Sequence, residues 1–235
     1  MQILHKKTRA ILFEGKADST KDLLVRAHSD NVILDGADLH GVYLYKMTAP
    51  GIRLRHADLG HSRIGQCDFS DSDFTGADFF QARILNSTFA DSQMSHTNLS
   101  HASLALSDFR SVDFLGANFQ RTIFDSGDFT GARFPEGAPK VENLDSKILA
   151  AIEAGGTLDM GVWHTSDTTH CRAGWAVKLA GGPGKLIEGW FGPCAAGTLI
   201  YHASTGRVPN FFANDTDTLA DIRRCADLEK AKGEL

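Results

Sequence analysis

The sequence predicts a mainly β fold in which the middle of the chain winds into a coil of short extended sides, followed by a small α-rich domain. Three observations carry this. A five-residue period runs unbroken from Asn31 to Pro135, a large apolar residue fills the fourth place of nearly every period, and the apolar spacing turns helical from about Asp145.

The repeat divides into 21 blocks of five, whose fourth residue is Leu seven times, Phe ten times, Ile twice and Met once; only Ala49 is small. The second place is mostly Ala, Ser or Thr, and the third is Asp eight times and Asn twice. Five suits neither ordinary element. On a helix the apolar place would precess by about 500° per block and form no face. In a straight strand an odd period sends it to alternate faces. The pattern is consistent if the chain bends once per block, with places two and four pointing inward and place five turning the corner. Successive coils then stack at about 4.8 Å through backbone hydrogen bonds.

Blocks such as Gly36-Ala37-Asp38-Leu39-His40 and Gly76-Ala77-Asp78-Phe79-Phe80 resemble the unit of the pentapeptide repeat family. The resemblance implies a right-handed four-sided parallel β-helix, a pentapeptide repeat solenoid; some members of that family bind DNA gyrase as mimics of DNA, and most have no established activity. With four sides, residues twenty apart stack, giving a little over five coils and a rod of about 25 Å. The interior columns become Leu34, Leu54, Phe74, Met94, Phe114, Phe134; Leu39, Leu59, Phe79, Leu99, Phe119; Leu44, Ile64, Ile84, Leu104, Phe124; and Ala49, Phe69, Phe89, Phe109, Phe129. Ala49 predicts a gap, and Pro50 beside it a locally irregular corner.

The same map orders the outside. Asp38, Asp58, Asp78, Asn98 and Asn118 form one column, the candidate for phosphate mimicry; Tyr43, Arg63, Arg83, Ser103 and Ile123 form the next. These five charged residues, Asp38, Asp58, Asp78, Arg63 and Arg83, are the candidate binding residues. The coil holds 12 acids and 8 bases, a thin excess beside a duplex with one charge per about 1.7 Å. The third-place acids are therefore read first as hydrogen-bonding the coil exterior. Five coil histidines, with His56 and His96 two coils apart as are His61 and His101, do not converge on a metal site.

Open coil ends need cover. Residues 1–30 read as an N-terminal cap, with a strand around Ala10 to Phe13 and a short helix opened by the capping box Ser19-Thr20-Lys21-Asp22. Residues 136–144 form a linker in which Gly137-Ala138-Pro139 breaks the repeat. Residues 145–235 form the α-rich domain. Asp145 caps a first helix carrying Ile148, Leu149 and Ile152; Cys171, Trp175 and Leu179 mark a second, ended by Gly181-Gly182-Pro183-Gly184; a third begins at Pro193 and a fourth at Asp215 or Thr216. Truncation at Gly137 is expected to expose Phe124, Phe129 and Phe134 and to cause aggregation; a soluble monomer with an unchanged melting temperature would contradict this.

One stretch concentrates reactive groups. Cys171 at a helix start has its thiolate favoured by the dipole, His164 or His170 is placed to act as base, and Asp167 to orient it. The preferred reading is that Cys171 packs as a small apolar residue while Trp163 and Trp175 build the core. Zinc held by His164, His170, Cys171, Cys194 or Cys225 fits no usual ligand spacing. No cofactor is expected.

At 235 residues and 42% hydrophobic the chain has apolar material for a sizeable core, which excludes disorder for most of it. A net charge of -5 argues against dominant attraction to nucleic acid or an anionic membrane. The first residues hold too short an apolar run for an export signal, and four cysteines without a C-x-x-C pair read as reduced thiols, so the expected setting is cytoplasmic. The expected function is a non-enzymatic interaction or structural module whose C-terminal domain docks or caps, partnered by another protein or by a second copy, a homodimer being one form. The alternatives are a DNA-mimicking binder of a type II topoisomerase such as gyrase, and a cysteine-dependent enzyme centred on Cys171.

Overall fold

In every one of the 21 blocks the first residue is at positive φ, from 49° at Asn86 to 73° at Gly36 and Gly51. The corner is thus completed by the residue after place five, which adds place one to the expected turn at place five. Gly, Asn and Asp recur at the first place because they enter the left-handed region most readily. With one reversal per block, places two and four of a short extended side both face inward. All 21 fourth-place side chains are buried, none more than 5% exposed, and the second-place residues Ala37, Ala57, Ser62 and Cys67 are buried beside them.

The computed structural model describes residues 1–163 and 166–233. It divides into two units, Met1–Ile123 with Gly127–Pro135, and Phe124–Ser126 with Glu136–Leu235. The first unit opens with an antiparallel pair, β1 (Gln2–Leu4) and β2 (Ile11–Glu14), of which the sequence indicated only the second. Helix α1 (Thr20–Ser29) follows. Its Ser19 cap accepts the Asp22 amide at 3.1 Å, and Leu23, Leu24 and Ala27 are fully buried. The chain after β1 pairs with the first coil: the Asp38 amide donates to the Leu4 carbonyl and the Lys6 amide to the Gly36 carbonyl, both at 2.8 Å. That pairing covers part of the starting edge, which would otherwise leave backbone groups open to another chain.

The coil is a parallel β-solenoid of about four turns between residues 43 and 125. Its one continuous sheet runs β3 (Tyr43–Tyr45), β4 (Arg63–Gly65), β5 (Arg83–Leu85), β6 (Ser103–Ala105) and β7 (Ile123–Asp125). Neighbouring strands pair in register at a separation of twenty residues. Single bridges with the same separation run on other sides, from Asp38 with Asp58 to Asp113 with Arg133. Four blocks per coil follow. Phe89, Phe109 and Phe129 stack along one interior column with centroids 5.4 and 5.1 Å apart.

Pro50 does not make the corner irregular. Thr48 still bridges Asp68, and the Ala49 amide still reaches the Asp68 carbonyl at 2.9 Å. Along this side the place-five amides of Ser70, Ala90, Arg110 and Thr130 go to third-place side chains rather than to the ladder. A proline there forfeits no ladder bond. Met47, in a place usually given to small residues, is buried beside Ala49 in the same block.

The second unit is helical with one small parallel pair. In order it holds α2 (Leu144–Glu153), β8 (Thr157–Leu158), β9 (Thr169–His170), α3 (Arg172–Leu179), α4 (Gly181–Phe191), α5 (Pro193–Thr205) and α6 (Asp215–Gly233). Its core gathers Leu144, Ile148, Trp175, Ile200, Tyr201 and Ile222. One expectation is corrected and one helix is added. Asp145 is not the cap of α2; Asn143 holds that place, and Asp145 lies in the first turn, 1% exposed. The glycine run at 181–184 ends α3 as the spacing indicates, but a helix that the sequence reading missed, α4, begins within it. Gly181, at φ 64°, turns the chain from α3 into α4, and Pro183 falls in the first turn of α4, where a missing amide is tolerated. Close contact of α3 with α5 depends on Gly197, where an added Cβ would lie 2.4 Å from the Ala173 Cβ.

Candidate interaction surface

The outward side chains of the coil stand in columns because the ladder repeats every twenty residues. Asp38, Asp58 and Asp78 are stacked in register, followed by Asn98 and Asn118. Their carboxylates are engaged locally. Asp58 accepts the Gly60 amide at 2.9 Å, Asp78 accepts the Phe80 amide at 2.9 Å and the Asn98 side-chain amide at 2.9 Å, and Asp38 pairs with Arg9. The same bond, from the place-five amide two residues on to the third-place oxygen, recurs at Asp68, Asp73, Asn98, Asp108, Asp113, Asn118 and Asp128. The preference for Asp and Asn at place three is therefore explained by the corner: a short acceptor closes a turn whose donor has no ladder partner. At Asp108 the Arg110 guanidinium adds to this and holds the carboxyl below its usual range against the effect of burial.

Arg63 and Arg83 face outward from β4 and β5 as direct register partners. They border a shallow groove of about 790 Å³ with His61, Gln81, His101 and Ser103. The coil histidines are less dispersed than expected. The His40 and His61 rings are 5.0 Å apart, and His61, Phe80 and His101 continue the run along one corner at 5.5 and 5.6 Å. His40 is at place five and His61 at place one, so they meet across a corner and not within a column. His56 and His96 instead lie against the glycines of the following coil, Gly76 and Gly116. Among the described residues no group of three or more His, Cys, Asp or Glu is placed to hold a metal ion.

In the second unit Cys171 does cap α3, its Sγ accepting the Gly174 amide at 3.4 Å. Burial nevertheless pushes the thiol pKa up, outweighing the amides that favour the thiolate. His170 is buried, its ring edge-on to Trp175 at 4.6 Å, and its Nε2 bonds the backbone carbonyl of Asp167 at 3.2 Å, not the carboxylate. The Asp167 side chain is fully exposed beside Lys178. His164 lies outside the described residues. Native Cys171 is accordingly expected to react slowly with iodoacetamide below pH 9, as followed by mass spectrometry. Rapid alkylation near pH 7 that unfolding does not accelerate would show an activated thiol instead.

The most concentrated charge in this unit is a buried network that sequence reading missed. Arg172, 1% exposed, donates to Asp145 at 2.8 Å, to Asp221 at 2.6 Å and to the Tyr201 hydroxyl at 2.9 Å. Tyr201 donates to Asp145 at 3.0 Å, and Arg207 bonds both Asp145 and Asp221. Burial opposes ionisation of Asp221, but the guanidiniums of Arg172 and Arg224 outweigh it and hold the carboxyl well below its usual range. Burial pushes the Tyr201 phenol upward. The polar residues are far apart in sequence, so the available hint was a charge at apolar helical spacing, Asp145 before Ile148 and Arg172 before Trp175.

Residues 62–136 match the family model of the pentapeptide repeat region. Similar solved structures include a pentapeptide repeat protein of the Arabidopsis thaliana thylakoid lumen, 21% identical, covering 48% of this chain and 74% of its own with a TM-score of 0.34. HetL, involved in heterocyst differentiation regulation in Nostoc sp. strain PCC 7120, is 22% identical over 46% of this chain and 62% of its own, TM-score 0.30. QnrB1, a plasmid-mediated fluoroquinolone resistance protein, is 17% identical over 47% and 67%, TM-score 0.22. No curated protein matches the chain.

Proposed function

We propose, from the premise that this chain carries a pentapeptide repeat region over residues 62–136, that it is a non-enzymatic interaction module. The coil presents a preformed surface to a protein partner or to a second copy of the chain, and the helical unit serves as its docking or capping element. The observation that carries this reading is the completely filled interior, with all 21 fourth-place side chains buried and the ladder in register. A surface built on such a core binds without a large ordering cost. A cytoplasmic setting belongs to the same reading and is supported by four cysteines that are all free. Among the described residues no helix is long and apolar enough to cross a membrane.

The test is photocrosslinking from single outward positions of the coil in cells that make the protein. Saturable crosslinks to one protein or to a second copy, displaced by excess unlabelled chain, are expected from one side. Crosslinks from no side, or thiol-dependent turnover lost in Cys171→Ser, would contradict the reading. The stacked Asp38, Asp58 and Asp78 are what favours the second reading, a DNA-mimicking binder of a type II topoisomerase such as gyrase. Because those carboxylates already serve the corners, a gyrase supercoiling assay is expected to show neither inhibition nor protection.

A further inference from the structure

The arginines of the coil fall into two groups. Arg53 pairs with Asp35, Arg55 with Asp73, Arg110 with Asp108 and Arg133 with Asp113. The side chains of Arg63, Arg83 and Arg121 make no ion pair or hydrogen bond among the described residues, and all three are exposed. They lie together. Arg63 and Arg83 are direct partners on β4 and β5, and Arg121 stands at the corner leading into β7. Like charges stacked at about 4.8 Å destabilise a sheet. The fold has carboxylates at place three on its other sides and none in this column, which reads Tyr43, Arg63, Arg83, Ser103, Ile123. Asp125 is the single acid in the five strands of this face. The face also exposes Tyr43, Leu85 and Ile123, 64, 45 and 46% accessible. A local rule broken without internal compensation marks a place where compensation comes from outside.

We propose that the outward face of β3–β7 docks an acidic protein segment, whose carboxylates lie over Arg63 and Arg83 and whose apolar groups meet Tyr43, Leu85 and Ile123. This rests on the interaction-module reading and supplies its surface and the chemistry of its partner. Three features select a narrow acidic segment over nucleic acid. The strands are three residues long, so the face is only about 10 Å wide. One corner away stands the Asp38, Asp58, Asp78 column, within about a Debye length of the arginines, where it repels an extended polyanion. The exposed aliphatic side chains also offer apolar contact that a phosphate backbone does not use. Guanidiniums without internal partners are free to form forked bonds with carboxylates, the strongest of the exposed polar contacts.

The test uses the full chain and a short fluorescein-labelled peptide alternating glutamate with leucine, with binding read by anisotropy at low and high salt. Saturable binding is expected at low salt. It should weaken about tenfold or more in the double variant Arg63→Gln/Arg83→Gln and stay at wild-type strength in Arg53→Gln, which removes a paired arginine. The double variant should melt at the same temperature or higher, since it loses repulsion and no partner. Absence of saturable binding, equal binding by the double variant, or tighter binding of a single-stranded oligodeoxynucleotide of equal charge would overturn the proposal. If the glutamate-leucine peptide fails while competed crosslinks persist from another side of the coil, the acidic partner is wrong and the module reading stands; if both fail, both fall.

Discussion

Replacing Arg172 with methionine is expected to destabilise the protein by about 3–5 kcal/mol, the usual range when one member of a buried ion pair is removed. The loss comes mainly from what remains. Asp145, 1% exposed, would keep Arg207 and Tyr201 but lose the guanidinium at 2.8 Å, and Tyr201 would lose the donor at its hydroxyl. Denaturant unfolding followed by tryptophan fluorescence measures the effect, since Trp175 lies in the same core. The triple variant Arg172→Met/Asp145→Leu/Tyr201→Phe should recover part of the loss, because neither a half-paired carboxylate nor an unpartnered hydroxyl is then buried. Equal stability of Arg172→Met and wild type would mean that the network does not form. Asp221 adds a pH dependence. Its folded pKa lies below its unfolded value of about 3.9, so its contribution is present above that value and lost as pH falls through the lower folded one. Asp221→Asn should therefore flatten the acid limb of the stability profile while leaving the alkaline limb in place.

Phe109→Ala is expected to cost about 3–5 kcal/mol. Phe109 is fully buried and stacks on Phe89 at 5.4 Å and Phe129 at 5.1 Å, with Phe114 tilted against it at 5.9 Å. Backbone bonds to the coils before and after fix the sides of the lumen, so the site has little freedom to collapse around the missing ring. The outward substitution Gln93→Ala, in the same repeat region, should stay within about 0.5 kcal/mol. Urea unfolding monitored by circular dichroism separates the two. A Phe109→Ala variant as stable as Gln93→Ala would mean that fourth-place side chains do not fill an interior.

What could be read from the sequence followed from how far each interaction reaches along the chain. The coil was legible because its determinants recur locally: Leu, Phe, Ile or Met at place four in 20 of the 21 blocks and a mostly small residue at place two impose one geometry throughout. The pairing of Arg63 with Arg83 was legible too, as a consequence of the twenty-residue coil. The role of place one was harder to see, since Lys46, Leu106 and Arg121 occupy it as well as Gly and Asn, and only the backbone reveals that all share positive φ. Asp145 looked like a cap because a carboxylate before an apolar helix usually is one; its partners, Arg172, Tyr201 and Arg207, lie 27 to 62 residues away. Helix α4 was hidden by three glycines and a proline that sit at its first turn, where breakers are tolerated. The unpaired state of Arg63 and Arg83 was likewise invisible until the acids elsewhere on the coil were seen to hold the other arginines.

Nuclear Overhauser contacts between backbone protons across the coil test the central claim most directly. A stacked four-block turn predicts cross-peaks linking residues twenty apart, from Asp38 with Asp58 through Arg63 with Arg83 to Asp113 with Arg133. Sequential helical contacts three residues apart through the same region, or cross-strand contacts whose separations do not centre on twenty, would contradict it and remove the face on which the proposed docking depends.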